Sequence, residues 1–136
     1  MNVFSIESFI DELAQAAKAD PVDFRLRHLE DSRARAVIQE AADRFGWADY
    51  RRQQDHGRGF AFARYKNLAA YLALAVEVEV DRTSRGVRLK RAVAAVDCGE
   101  AVNPNGIENQ IQGGILQSAS WTLHADFTAI GRVRPD

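Results

Sequence analysis

The chain has 136 residues, 46% of them hydrophobic and 27% charged, with a formal net charge of −1. That is the composition of a globular chain of one domain at most, and its balanced charge gives no reason to expect nucleic acid or an anionic membrane as the main partner. No apolar run of about 18 residues is present to form a transmembrane segment, and the N-terminus lacks the basic and apolar regions of a signal peptide. The single cysteine, Cys98, excludes an internal disulfide and a multi-cysteine iron–sulfur or zinc site, while His28, His56 and His124 show no metal-ligand spacing.

Taken in chain order, Ser5 is placed to cap a first helix, with Phe4 and Phe9 as a hydrophobic staple. Ile6, Phe9, Ile10, Leu13 and Ala17 then form one apolar face. Asp20-Pro21 supplies an N-cap and a first helical residue for a short second helix bearing Phe24, Leu26 and Leu29. A third helix is expected from about Ser32 to Phe45, with Val37, Ile38, Ala41 and Phe45 inward and Gly46 ending it. Arg33, Arg35, Asp43 and Arg44 are expected on its solvated face.

The polar run from Ala48 to His56 reads as a loop, after which the period changes. Phe60 to Tyr65 alternates as a strand would, and Gly57 and Gly59 before it are an incomplete glycine-rich fingerprint, weak evidence for phosphate. Leu72, Leu74, Val76, Val78 and Val80 alternate with Tyr71, Ala73, Ala75, Glu77 and Glu79, so the first half of this strand is apolar on both faces. Glu77 and Glu79 could be a carboxylate pair, since alternate strand residues share a side, but their place beside the turn-forming run 81–86 favours an exposed strand end. From Val87 a partner strand returns to Val96, making a hairpin from roughly Tyr71 to Val96. Cys98, at the end of that strand, is expected to be a small buried residue; a catalytic thiol would need a base, and no histidine follows locally.

The hairpin leads into NPNGIENQIQGGILQSASWTLH. Asn103, Pro104 and Asn105 read as a helix start, and Ile107, Ile111, Ile115, Ala119 and Leu123 recur every four residues as an apolar stripe. Gln110, Gly113, Gly114 and Gln117 share a second face. Two adjacent glycines inside a helix each cost about 0.8–1.0 kcal/mol relative to alanine, which calls for a compensating close approach. Either a neighbouring helix or strand packs there, or the glycines floor a notch whose flanking carboxamides hydrogen-bond a polar ligand.

The run AVDCGEAVNPNGIENQIQGGILQSASWTL resembles the C-terminal molybdopterin-binding region of the large subunit of molybdenum hydroxylases, the xanthine dehydrogenase and aldehyde oxidase family. NVFSIESFIDELAQAAKADPVDFRLRHL, GRGFAFARYKN and AVEVEVD resemble the same family in order, with the spacing of bacterial isoquinoline 1-oxidoreductase and nicotinate dehydrogenase-like subunits. The resemblance covers nearly the whole chain. It implies an α+β fold with N-terminal helices (about 1–47), a small mixed or antiparallel strand group (about 57–97) and one long helix (about 104–124). Together these would be part, over 1–136, of a larger molybdopterin-binding domain.

The family hydroxylates aldehydes or nitrogen heterocycles with oxygen from water, at a molybdenum centre held by molybdopterin, often as the cytosine dinucleotide. Electrons leave through [2Fe-2S] clusters, here expected in a small partner subunit, in a bacterial protein of the cytoplasm or periplasm. By the family pattern Gln110 is carried over as a pterin contact, with Gly113, Gly114 and Gln117 lining the same approach. Gln112 departs from the acid, and Ser118 from the glycine, that relatives often carry. The family's catalytic glutamate belongs to a glycine-rich segment downstream of this helix, so no catalytic residue and no metal ligand is assigned. The resemblance implies a piece of a longer subunit that is inactive alone. The alternative is a small non-catalytic α+β binding or assembly protein that retains the scaffold.

Overall fold

The structure is a computed structural model that describes residues 2–66 and 69–124. Residues 67 and 68, part of the short link between two strands, and 125–136, the end of the expected domain, lie outside the described residues. The element order is α1 (Asn2–Ala16), α2 (Pro21–His28), α3 (Ser32–Phe45), β1 (His56–Tyr65), β2 (Ala70–Val80), β3 (Val87–Asp97) and α4 (Pro104–His124). The chain divides into two units, residues 1–101 and 102–136. The fold is α+β, and its sheet is an antiparallel meander of order β1-β2-β3.

In the first unit α3 packs across one face of the sheet. Ala34, Val37, Ile38, Ala41, Ala42 and Phe45 meet Phe60 of β1, Tyr71, Ala73 and Ala75 of β2, and Ala95 of β3. The small residues on both sides allow the helix to approach the strands closely. Because side chains alternate along a strand, burying Tyr71, Ala73 and Ala75 turns Leu72, Leu74 and Val76 to the other face, where they are half-buried. The same alternation puts Gly57 and Gly59 opposite Val78 and Val76, whose methyl groups a Cβ on either glycine would touch at 3.5 Å. A Cβ at either position would make ordinary van der Waals contact there.

Local chemistry fixes the helix ends. Asp20 caps α2 through Val22 N (2.8 Å) and also accepts from Trp47 Nε1 (2.9 Å), joining that cap to the segment after α3. Asp31 caps α3 through Arg33 N (2.9 Å) and Ala34 N (3.2 Å). Gly46 ends α3 in the left-handed region, at φ 73°, where a side chain would be strained.

α1 departs from the expectation in two ways. It begins at Asn2, so Ser5 lies inside the helix and is not its cap. Its buried positions are Glu7 and Ala14, while Phe4, Ile6, Phe9 and Leu13 are 77%, 56%, 58% and 41% exposed. The reason is Arg25 of α2, whose Nε and one terminal nitrogen donate to Glu7 Oε2 at 3.0 and 2.9 Å. The same oxygen accepts Phe62 N at 2.8 Å, and Arg25 reaches Phe60 O at 3.2 Å. A carboxylate that satisfies a guanidinium and a strand amide faces inward, and the apolar residues beside it face out.

Arg33 also departs from its expected solvated position. Its guanidinium stacks 4.4 Å from the Tyr71 ring and forks onto Asp97, with both hydrogen bonds at 2.7 Å. Glu77 and Glu79 are half-buried and individually paired, in place of the expected free strand end. Glu77 meets His56 Nδ1 at 3.0 Å, and Glu79 meets Lys90 Nζ at 3.1 Å, which lowers the Glu79 pKa. A register shift at Glu77/Val78 interrupts the pairing of β2 with β3, which resumes from Val78↔Leu89 to Val80↔Val87. Among the described residues no helix is long and apolar enough to cross a membrane.

Candidate cofactor-binding site

α4 starts where its sequence requires. Asn103 Oδ1 accepts Gly106 N at 3.0 Å and the Asn103 carbonyl accepts Ile107 N at 3.1 Å, so Asn103 is the N-cap. Gly106 makes room for that cap, since a Cβ there would come within 3.0 Å of Asn103 Nδ2. Further along, Gln112 Nε2 donates to Glu108 Oε1 at 2.8 Å and Thr122 Oγ1 to Ser118 O at 2.8 Å. Ile107, Ile111, Ile115, Ala119 and Leu123 are half-buried, as a stripe at four-residue spacing.

Gln110, Gly113, Gly114 and Gln117 lie together on an exposed part of the helix. The helix's own side chains leave the glycine pair open, because a Cβ built on Gly113 or Gly114 meets no atom within 4 Å. The result is an uncharged shelf with a bare-backbone floor and two carboxamides, each able to donate and accept. Such a shelf suits the edge of a flat, polar heterocycle. Trp121 follows Gln117 by four residues and Gly114 by seven, so helical geometry brings it to the same face, 58% exposed. Reasoning from the glutamines and glycines alone overlooked it, although its spacing was readable.

The chain reaches α4 through the end of β3. There Asp97 Oδ1 accepts Gly99 N at 3.0 Å, and Gly99 takes φ 83°, which favours glycine. The Arg33 guanidinium, first, and the Gly99 amide hold the Asp97 carboxyl down at a pKa of about 2, and Asp97 raises that of Arg33 in return. Tyr71 Oη donates to Asp31 Oδ2 at 3.0 Å, and Arg64 reaches the same oxygen at 3.3 Å. Asp31 is lowered chiefly by the Ala34 amide, and Tyr71 is raised chiefly by burial. Cys98 is exposed, against the expectation of a buried residue, because the turn after Asp97 has left the sheet. Among the described residues no three His, Cys, Asp or Glu side chains cluster to hold a metal ion.

Comparison with known proteins places this geometry in context. The family described as "Molybdopterin cofactor-binding domain" matches residues 6–134. The B subunit of nicotinate dehydrogenase from Pseudomonas putida is 41% identical over 136 aligned residues, covering 90% of this chain and 12% of the relative. The beta subunit of isoquinoline 1-oxidoreductase from Brevundimonas diminuta is 38% identical over 125 residues, covering 88% of this chain and 16% of the relative. A membrane-bound aldehyde dehydrogenase of Gluconacetobacter polyoxogenes, named for pyrroloquinoline quinone, is 27% identical over 88% of this chain and 18% of its own length. The chain thus spans between about one-eighth and one-fifth of the length of these relatives, all oxidoreductases by name. With the match running from α1 through α4, the chain belongs to the molybdopterin cofactor-binding domain family.

Proposed function

We propose that this chain forms part of the cofactor-binding domain of a molybdenum hydroxylase and that the glutamine–glycine face of α4 contacts the pterin. The observation that carries the reading is the open glycine pair between Gln110 and Gln117, on a chain whose family is described by that cofactor. Gln110 and Gln117 would exchange hydrogen bonds with the amide edge of the pterin, while Gly113 and Gly114 admit it to the backbone. When bound, the group, as molybdopterin cytosine dinucleotide, supplies oxidative hydroxylation of an aldehyde or nitrogen heterocycle with oxygen from water. This chain's contribution is to bind and orient it. No described residue is assigned as the base: Glu77 and Glu79 are engaged by His56 and Lys90.

Two relatives are named as one subunit among several, which supports further polypeptide around this chain, including a partner carrying [2Fe-2S] clusters. The exposed Ile6, Phe9 and Leu13 on α1 support the same reading, since large apolar side chains gathered on one helix face mark contact surfaces. Alone, the chain would turn over no substrate. The test is metal and pterin analysis of the chain purified with its co-expressed oxidoreductase polypeptides, together with aldehyde- or heterocycle-dependent dye reduction. Stoichiometric molybdenum with pterin is expected. An assembled, active complex that holds pyrroloquinoline quinone and no molybdenum would overturn the proposal.

A further inference from the structure

The two edges of the sheet differ. On β1, Phe62 N donates to Glu7 Oε2 at 2.8 Å and Phe60 O accepts from Arg25 at 3.2 Å, so the buried ion pair occupies positions at which a neighbouring strand would bond. Peptide groups along an antiparallel strand point alternately to either side, and the outward turn of Phe60 and Phe62 sets the direction of the others through the register. By Phe60↔Ala75 and Phe62↔Ala73, the peptide groups of Ala75 and Ala73 turn towards β3, where they meet those of Val93 and Ala95. The peptide groups of Ala92, Ala94 and Val96 then point off the free side of β3. Among the described residues nothing hydrogen-bonds them there. Sheet edges are ordinarily blunted by charge, proline or a bulge. The outer part of β3 has two of these, the register shift opposite Glu77/Val78 and the exposed Arg88, Lys90 and Arg91, while residues 92–96, AVAAV, have none.

We propose that the free edge of β3 over residues 92–96 takes an added strand from oxidoreductase polypeptide outside this chain, apolar beside Ala92, Ala94 and Val96 and bearing a carboxylate beyond the end nearest Arg88. The inference rests on the reading that further polypeptide surrounds the chain, and on no contact made by α4. Main-chain hydrogen bonds attach the added strand, and side chains on its two faces select it. The neighbouring cations define its charge. Lys90 is engaged by Glu79 at 3.1 Å and Arg91 by the Phe45 and Arg44 carbonyls, whereas Arg88 makes no hydrogen bond or ion pair among the described residues. The small Ala92 and Ala94 side chains leave room beside them for larger apolar ones on the added strand. Length favours an occupant from outside: the chain covers 12%, 16% and 18% of its relatives, so most of the polypeptide that could pair with it lies elsewhere.

The test reads amide hydrogen exchange at Ala92, Ala94 and Val96, with Val93 and Ala95 as internal controls, in the chain alone over a range of concentrations and in the complex with its co-expressed polypeptides. In the chain alone the three outward amides should exchange freely while the two inward ones are protected. In the complex the outward amides should slow by at least about tenfold, as gaining one hydrogen bond of ordinary strength would. Ala94→Pro removes an outward donor and spares the bonds to β2, so it should leave the denaturation midpoint of the chain alone near that of the wild type and yet weaken assembly. Arg88→Glu should weaken assembly by repelling the carboxylate. The exchange measurement uses the wild type and stands whether or not Ala94→Pro folds. Outward amides as fast in the complex as in the chain alone would overturn the proposal. So would protection that appears in the chain alone as its concentration rises, the mark of a second copy on this edge, and so would full assembly of both variants. Molybdenum and pterin are measured in the same complex. Protected outward amides in a complex without either would overturn the cofactor reading and leave the added strand standing, while unprotected ones in a complex holding both would overturn the added strand alone.

Discussion

Glu7 on α1 and Arg25 on α2 are the buried charged residues among those described, and they meet at 2.9 Å with side chains 11% and 2% exposed. Around them converge the Phe62 amide and the Phe60 and Pro21 carbonyls, so one ion pair joins two helices to the edge strand β1. Removing one partner of such a pair leaves the other charged and buried, which costs about 3–5 kcal/mol. Arg25→Leu should therefore lower the denaturation midpoint severely. Glu7→Gln, which keeps an acceptor for Phe62 N, should cost less. Equal and small losses, within the roughly 0–1 kcal/mol of a solvated pair, would show that water reaches the site.

Acid should weaken the first unit in a defined window. Asp97 is lowered from 3.8 to about 2, mainly by Arg33 and then by the Gly99 amide. A carboxyl depressed in the folded state stabilises it above its unfolded pKa, and that contribution is lost as pH falls from about 4 through 2. Asp31, also lowered, adds to the same window. Urea midpoints between pH 2 and 6 should fall on the acid side, and Asp97→Asn should flatten the fall. An unchanged pH profile in Asp97→Asn would remove the pair from this account.

Self-association of the isolated chain should depend on α1. Phe9 is 58% exposed on the side away from Glu7 and Ala14, and Phe4, near the start of the helix, is 77% exposed. The double variant Phe4→Ser/Phe9→Ser should sediment as a smaller species than the wild type at equal concentration, with stability within about 0.5 kcal/mol for each surface change. A wild-type chain that stays monomeric across the concentration range would contradict the contact role of this face.

Much of the fold was legible because local signals and tertiary packing agree in α3 and at the start of α4. Ser32 to Phe45 carries its apolar residues at helical spacing and ends in a glycine, and α3 occupies those residues with that face buried. Asn103 and Pro104 mark a start that the Gly106 hydrogen bond realises. What periodicity could not supply was the direction of each face. The α1 stripe looked like core, yet Arg25 draws Glu7 inward, and β2 buries Tyr71, Ala73 and Ala75 under the small residues of α3. Arg33, Glu77 and Glu79 read as solvated because their partners lie on other elements, found only through register and helix docking. In the candidate site, the glutamines and glycines were visible by spacing, and the openness of the notch came from the helix itself.

The measurement closest to the central claim is molybdenum and pterin content of Gly114→Ala and Gln110→Ala in the co-expressed complex, taken with thermal stability. With nothing within 4 Å of a Cβ at Gly114, alanine should stabilise the bare helix by up to about 1 kcal/mol and yet reduce cofactor content by filling the shelf. Gln110→Ala should leave the fold intact and cost about 1–3 kcal/mol of cofactor binding by stranding a buried polar partner. Full molybdenum and pterin in both variants would contradict the assignment of this face to the cofactor.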